Sequence, residues 1–267
     1  MTGLPPVYVK APQRLLSHNG VVPGARDVPE ETPIALTYGR TTYAVMMATP
    51  SDIEDFAIGF SLTERIIEDV AEIAELEIVT VPQGIEARMN LSSNRDAELL
   101  SRRRRLVGPG GCGLCGIESL EAAVAPPARI QSASRIAAPS IFRALGSLRE
   151  AQTLNARTRA VHAAGFWTDD RFAFLREDVG RHNALDKLAG ALARSKTPAT
   201  SGILVMSSRL SIELVQKAAA IGCPIIVAVS APTAFALRTA EASGITVVAV
   251  ARDDSLEIFT HPERIEI

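Results

Sequence analysis

The stretch GILVMSSRLSIELVQKAAAIGCPIIVAVSAPTAFALRTAEASGITVVAVAR, residues 202–252, decides the fold. It alternates between two kinds of segment. GILVM, PIIVAV and ITVVAV are continuous apolar runs without polar alternation, which read as strands buried on both faces. Between them, SIELVQKAAAIG and PTAFALRTAEASG read as helices, with stops at Gly222-Cys223-Pro224 and at Gly244. This alternation predicts a mostly parallel sheet covered by helices on both faces.

The upstream sequence extends the pattern. GRHNALDKLAGALARS (180–195) reads as a further helix, and AVHAAGFWTDDRFAFLRED (160–178) as a hairpin around Thr168-Asp169-Asp170. PSIFRALGSLREAQTLNART (139–158) reads as one helix. Nearer the N-terminus, PIALTYGRTTYAVMMAT (33–49) is a hairpin turning at Gly39-Arg40. SDIEDFAIGFSLTERII (51–67) is a helix opened by a Ser51/Glu54 capping box, with Ile53, Phe56, Ala57, Phe60 and Ile67 on its apolar side. ELEIVTV (75–81) and IEARMNL (85–91) are strands, and DAELLSRRRRL (96–106) a short helix. Residues 1–30, rich in Pro, Gly and polar residues, read as a poorly ordered arm or an edge segment. The expected organisation is therefore an arm over 1–30, an α+β region over 31–135 and an α/β domain over 136–267.

Composition narrows the class. With 28 basic and 30 acidic residues, no global field favours nucleic acid, so anion binding must come from local clusters. The longest apolar runs are too short to span a membrane. The N-terminus lacks a charged start followed by an apolar core, so a cytoplasmic location is expected. An odd count of three cysteines argues against a disulfide framework.

Two of those cysteines carry the chemistry. In GPGGCGLCGIES (108–119), Cys112 and Cys115 form a CxxC pair among five glycines. Half a zinc site is one reading, but no second ligand pair follows, and His18, His162, His182 and His261 are scattered. Zinc deaminases pair such cysteines with H-x-E; here His162 is followed by Ala163-Ala164 and comes after the cysteines, which argues against deamination. Cys223 reads as a small buried hydrophobe. The glycines permit close approach to the sulfurs and movement of the loop, and Arg102–Arg105 would favour thiolate, unless they are simply a solvated helix face.

A second polar concentration lies downstream. REDVGRHNALDKLAG (176–190) puts Asp178, Arg181, His182, Asn183, Asp186 and Lys187 at a strand-to-helix junction. Such a junction suits an anionic ligand, although an ordinary capped amphipathic helix has the same look. Ser207, Ser208, Arg209 and Ser211, then Ser230 and Thr233, then ARDDS (251–255) follow three successive strands at their carboxyl ends. Open α/β sheets bind ligands at that edge. Helix N-capping accounts for Ser211 and Ser230 but poorly for Arg209.

Taken together, TPSDIEDFAIGFSLTERII (49–67), GGCGLCG (110–116), VHAA (161–164), EDVGRHNALDKL (177–188), SSRLSIELVQKAA (207–219), AVSAPTAFA (228–236) and IFTHPERI (258–265) resemble the formate dehydrogenase accessory sulfurtransferase (FdhD) family from about residue 30 onward. The resemblance implies a three-layer α/β/α, cytidine-deaminase-like C-terminal domain, with a smaller α+β region carrying a mobile CxxC loop. It implies a persulfide carrier: a cysteine desulfurase loads sulfur on Cys112, with Cys115 as partner. The sulfur then passes to the molybdenum cofactor, as its bis(molybdopterin guanine dinucleotide) form, for formate dehydrogenase. The cofactor is cargo, and no permanently bound metal, nucleic acid or membrane is expected. The resemblance further implies a homodimer and carries cofactor binding onto Val250, Ala251, Arg252, Asp253, Asp254 and Ser255. Arg209 and His182 join this set by position at the same expected edge, His182 to orient the cofactor or donate a proton.

Overall fold

The computed structural model describes residues 3–92, 127, 129–252 and 254–267. The alternating C-terminal segments form β10 (Ile203–Met206), α5 (Ile212–Ala220), β11 (Ile225–Ala228), α6 (Ala234–Ser243) and β12 (Thr246–Ala249). All twelve residues of the three strands are buried, as continuous apolar runs require. Before them come β8 (His162–Thr168), β9 (Arg171–Asp178) and α4 (Arg181–Arg194). A short β13 (Glu257–Ile258) closes a six-stranded sheet in the order β13-β12-β11-β10-β8-β9.

The sheet is mixed rather than mostly parallel. Only β10–β11 and β11–β12 pair parallel; β8–β10, β8–β9 and β12–β13 are antiparallel. One reversal is local: Asp169 and Asp170 both take positive φ, 49° and 55°, making the two-residue turn that sets β9 antiparallel to β8, whereas a parallel pair needs a crossover. The antiparallel β8–β10 and β12–β13 pairings follow from where those strands join the sheet.

Helices cover both faces of this sheet. On one, α4, α5 and α6 pack Leu185, Leu188, Leu214, Val215 and Ala240 on Phe166, Leu204, Met206, Ile226 and Val247. On the other, α2 (Ala138–Ala151) sets Ile141, Leu145 and Leu148 against Trp167, Val205, Val227 and Val248. The helix expected over 139–158 is two: Gln152 (φ −79°, ψ 74°) breaks it, and α3 (Thr153–Thr158) follows. Glu177 explains the restart, since its carboxylate accepts from the backbone amides of Leu154 and Asn155, both at 2.8 Å. Next to α2, β7 (Ile136–Ala137) pairs with β14 (Ile265–Glu266) and ties in the C-terminus.

The N-terminal half holds a second sheet, β4-β3-β6-β5, from β3 (Thr32–Tyr38), β4 (Thr41–Ala48), β5 (Ile73–Val81) and β6 (Gly84–Leu91). Its inner face, with Ile34, Leu36, Ile85, Ala87 and Met89, packs on Phe56 and Phe60 of α1 (Ile53–Thr63). The capping box expected at Ser51/Glu54 is absent. Asp52 occupies the N-cap position in the left-handed region and its side chain makes no cap hydrogen bond. A capping box forms instead at Asp69/Glu72, opening a short 3₁₀ turn. Residues 8–29, expected as a poorly ordered arm or an edge segment, pair as β1 (Tyr8–Ser17) and β2 (Gly20–Pro29), a separate two-stranded ribbon.

Helix α1 lies between the two halves, because its other side meets α4. The crossing is set by glycine on both partners. A Cβ at Gly59 would overlap the carbonyl of Asp186, and one at Gly190 would overlap the carbonyl of Asp55. The backbones therefore touch where any side chain would hold them apart.

Candidate functional site

The polar residues of EDVGRHNALDKL separate into two sets that the sequence does not distinguish. The first is structural. Asp178 and Lys187 are completely buried and paired, Lys187 Nζ lying 2.6 Å from Asp178 Oδ2. Lys187 also donates to the Thr49 carbonyl at 2.8 Å, and the Thr49 amide donates to Asp178 Oδ2 at 2.9 Å. Asn183 Nδ2 donates to Met47 O and to Asp178 Oδ1, and the Gly180 amide also donates to Oδ1. This network pins the end of β4 to the start of α4.

A second buried pair works one turn on. Lys217 of α5 contacts Asp186 of α4 at 2.9 Å and Glu64, just past α1, at 2.7 Å; Thr63 donates to Asp186 at 2.6 Å. Burial pushes the Asp186 carboxyl up to about 6, against the pull of Lys217 and Thr63. Burial opposes the Lys217 charge too, but Asp186 and Glu64 outweigh it and raise its pKa. Three helices thus share one buried ion cluster. Four of the six residues that suggested anion binding (Asp178, Asn183, Asp186 and Lys187) are committed to holding the halves together.

The second set faces the carboxyl edge of the parallel strands. Arg181 and His182 open α4, half-buried, beside the edge where β10, β11 and β12 end. His182 Nε2 stands 4.0 Å from Glu213 Oε2 at the start of α5, too far for a hydrogen bond. Among the described residues, Arg181 Nε, His182 Nε2, Ser211 Oγ and Glu213 Oε2 are buried atoms without a hydrogen-bond partner. Such orphaned atoms cost free energy unless a bound group satisfies them. Ser211 does sit at the N-cap of α5, but it makes no cap bond, and α6 is capped by Thr233 rather than Ser230. N-capping therefore does not explain these serines. Ser207 is structural: it accepts from the Ala163 amide at 2.8 Å and ties β10 to β8.

The electrostatics favour an uncharged imidazole. Burial, then the nearby Arg181, pushes His182 down to about 4, with Glu213 opposing. Burial and Arg181 lower His162 as well. Burial would raise Glu213, but its own backbone amide and the neighbouring His182 and Arg181 pull the other way, and its carboxyl lies below the ordinary value. The His182 proton is thus taken up by the unfolded chain first. Its neutral form contributes stability in full above about 6.5, and that contribution is lost as pH falls through about 4. An NMR titration should give His182 a midpoint far below the ordinary histidine value; a midpoint near 6.5 would show that the ring is not buried beside Arg181.

The other expected residues reach the same edge. Arg209 is exposed just after β10. Arg252, after β12, donates to the carbonyls of Val229 and Ala251, and its amide donates to Ser255 O at 2.7 Å. Val250 takes a φ of 50°, a left-handed conformation costly for a β-branched residue. Asp254 and Ser255 are exposed and hydrogen-bonded to each other. The loops after β10 and β11 are braced by the Leu210 amide on Ala231 O and the Thr233 amide on Leu210 O. Cys112, Cys115, the arginine run with the short helix expected over it, and Asp253 lie outside the described residues. Cys223 is buried, and burial pushes its thiol up to about 11, which makes it inert. Sequence reasoning missed Glu213; its only signal is an acidic residue in the first turn of a helix that starts at the strand edge.

A mixed α/β core whose carboxyl strand edge gathers orphaned polar atoms, joined to a smaller α+β unit, defines an α/β protein with a candidate ligand edge. Comparison with known proteins narrows this further. The FdhD/NarQ family profile matches residues 29–266. A protein of Agrobacterium fabrum named sulfur carrier protein FdhD is 48% identical over 260 residues, covering 97% of this chain and 96% of its own. One of the same name from Brucella abortus is 51% identical over 249 residues, covering 92% and 93%. A crystal structure from Desulfotalea psychrophila, described as a candidate formate dehydrogenase accessory protein, superposes with a TM-score of 0.75 at 26% identity, covering 97% of this chain and all of that one. The chain belongs to the FdhD/NarQ family.

Proposed function

We propose that the protein is a sulfur carrier serving formate dehydrogenase. The observation that carries this reading is its identity, over more than nine-tenths of the chain, to relatives named sulfur carrier protein FdhD. The glycine-flanked pair Cys112/Cys115 supplies the chemistry. A cysteine desulfurase would load a persulfide on Cys112. Attack of the Cys115 thiolate on the Cys112 sulfur then forms the disulfide and expels the outer sulfur as hydrosulfide, so the two thiols supply both electrons. Direct transfer from Cys112 to the acceptor is the alternative route.

The acceptor in this reading is the molybdenum cofactor in its bis(molybdopterin guanine dinucleotide) form, bound as cargo. The polar edge supports it. Arg209 and Arg252 offer positive charge there, and Arg181, His182 and Glu213 offer unsatisfied polar atoms beside it. The segment Val250, Ala251, Arg252, Asp253, Asp254 and Ser255 would line the cargo, with phosphates drawn to the arginines. The protein would act in the cytoplasm as a homodimer, without nucleic acid or membrane. None of the helices among the described residues is long and apolar enough to cross a bilayer.

The test is intact-mass analysis after incubation with a cysteine desulfurase and free cysteine. Gain of one sulfur, lost in Cys112→Ala and kept in Cys115→Ala, is the expected outcome. No gain in the wild type would end the carrier reading. A Cys112→Ala protein that still activates formate dehydrogenase would reduce the role to cofactor delivery.

A further inference from the structure

Among the described residues, the ribbon β1–β2 is anchored at its base. Arg26 donates to Thr158 O at 3.1 Å, and Arg157 donates to the Tyr8 hydroxyl at 2.9 Å while its guanidinium lies over the Tyr8 ring. Beyond the Arg26 anchor six of the ribbon's ten residue pairs run out to a two-residue turn at His18-Asn19, a reach of roughly 20 Å. At the tip Leu15 faces Val22 and Leu16 faces Val21. Because successive side chains alternate, these two apolar pairs lie on opposite faces of the ribbon. All four are exposed, Leu16 by 76%. A lone two-stranded ribbon is marginal in water, and this one shows aliphatic side chains on both sides.

The same chain carries a surface that matches. Helix α1 covers only the inner face of β4-β3-β6-β5. On the outer face, the register places Val45, Ala35, Glu86 and Val79 in one cross-strand row, with Met47, Pro33 and Val81 in the next. Val45 and Met47 are exposed on β4, the edge strand. Glu86 lies within the first row and Glu75 and Glu77 beside it, and among the described residues of this face the one arginine is Arg88. The ribbon has the opposite balance, with Lys10, Arg14 and Arg26 against Asp27.

We propose that the ribbon is an exchange arm, docking its apolar tip on the outer face of the four-stranded sheet in a second copy of this chain. Two surfaces that fit each other but lie uncovered on one molecule satisfy both needs when two copies associate about a twofold axis. Each chain gives the fourteen residues 12–25 beyond the Arg26 anchor and receives the partner's arm on its own sheet, so that arm and face together approach the roughly 20–30 residues per side of a stable interface. The inference rests on the homodimer part of the proposed function and is independent of the sulfur chemistry.

Sedimentation of the full chain tests it. The wild type should dimerise, and Leu16→Asp and Val45→Lys should each weaken the dimer by at least about 30-fold while leaving circular dichroism unchanged. Mixing those two variants should restore association, because the heterodimer keeps one unaltered arm–face contact and turns the other into an Asp–Lys pair. A monomeric wild type would overturn both the homodimer and the arm. A wild-type dimer that neither variant weakens, or no gain on mixing, would overturn the arm alone.

Discussion

Lys187→Met is expected to lower the unfolding free energy by about 3–5 kcal/mol, the usual cost of removing one partner from a buried ion pair. Lys187 has no exposure, and its ammonium is held by Asp178 and the Thr49 carbonyl. Without it, the Asp178 carboxylate stays buried, keeping the Thr49, Gly180 and Asn183 donors but no counter-charge. The loss falls on the joint between β4 and α4, so both halves should destabilise together. Urea denaturation measures it. A second substitution, Asp178→Asn, should recover part of the loss, since a neutral amide costs less to bury than an unpaired carboxylate. A Lys187→Met protein as stable as the wild type would show that the pair is not what joins the halves.

Gly190→Ala and Gly59→Ala should each destabilise by about 1–3 kcal/mol or more, the range for forcing extra atoms into a filled site. The sign is the informative part. At an ordinary helix-interior position the same change stabilises by roughly 1 kcal/mol, because alanine loses less backbone entropy. Here each new methyl would overlap a backbone carbonyl of the facing helix, which cannot rotate away as a side chain could. The helices must separate, and the ion clusters at Asp55, with Arg176 and Arg194, and at Asp186, with Lys217, stretch with them. Thermal unfolding decides the matter; a raised melting temperature in either variant would refute the close crossing.

The sequence by itself determined the elements whose signals are local. Continuous apolar runs marked β10, β11 and β12, and clean alternation in IEARMNL marked β6. Turn residues placed the hairpins at Gly39-Arg40 and Asp169-Asp170. The strand ends also told where polar side chains would gather, since a parallel strand delivers whatever follows it to one edge.

Only the tertiary structure decided what those side chains do. Asp178 and His182 lie four residues apart and look alike as candidates, yet one is sealed inside the joint and the other opens on the edge. The difference depends on Thr49, Met47 and Glu213, which lie far away in the chain and leave no periodic signal near the motif. Strand direction was equally non-local: β10 settles antiparallel to β8, a neighbour formed after a crossover, and local pattern does not record which edge it joins. The ribbon of residues 8–29 was hidden for the opposite reason. Its exposed faces have no core to pattern against, so its proline- and glycine-rich sequence reads as an arm, and only cross-strand pairing makes it a ribbon.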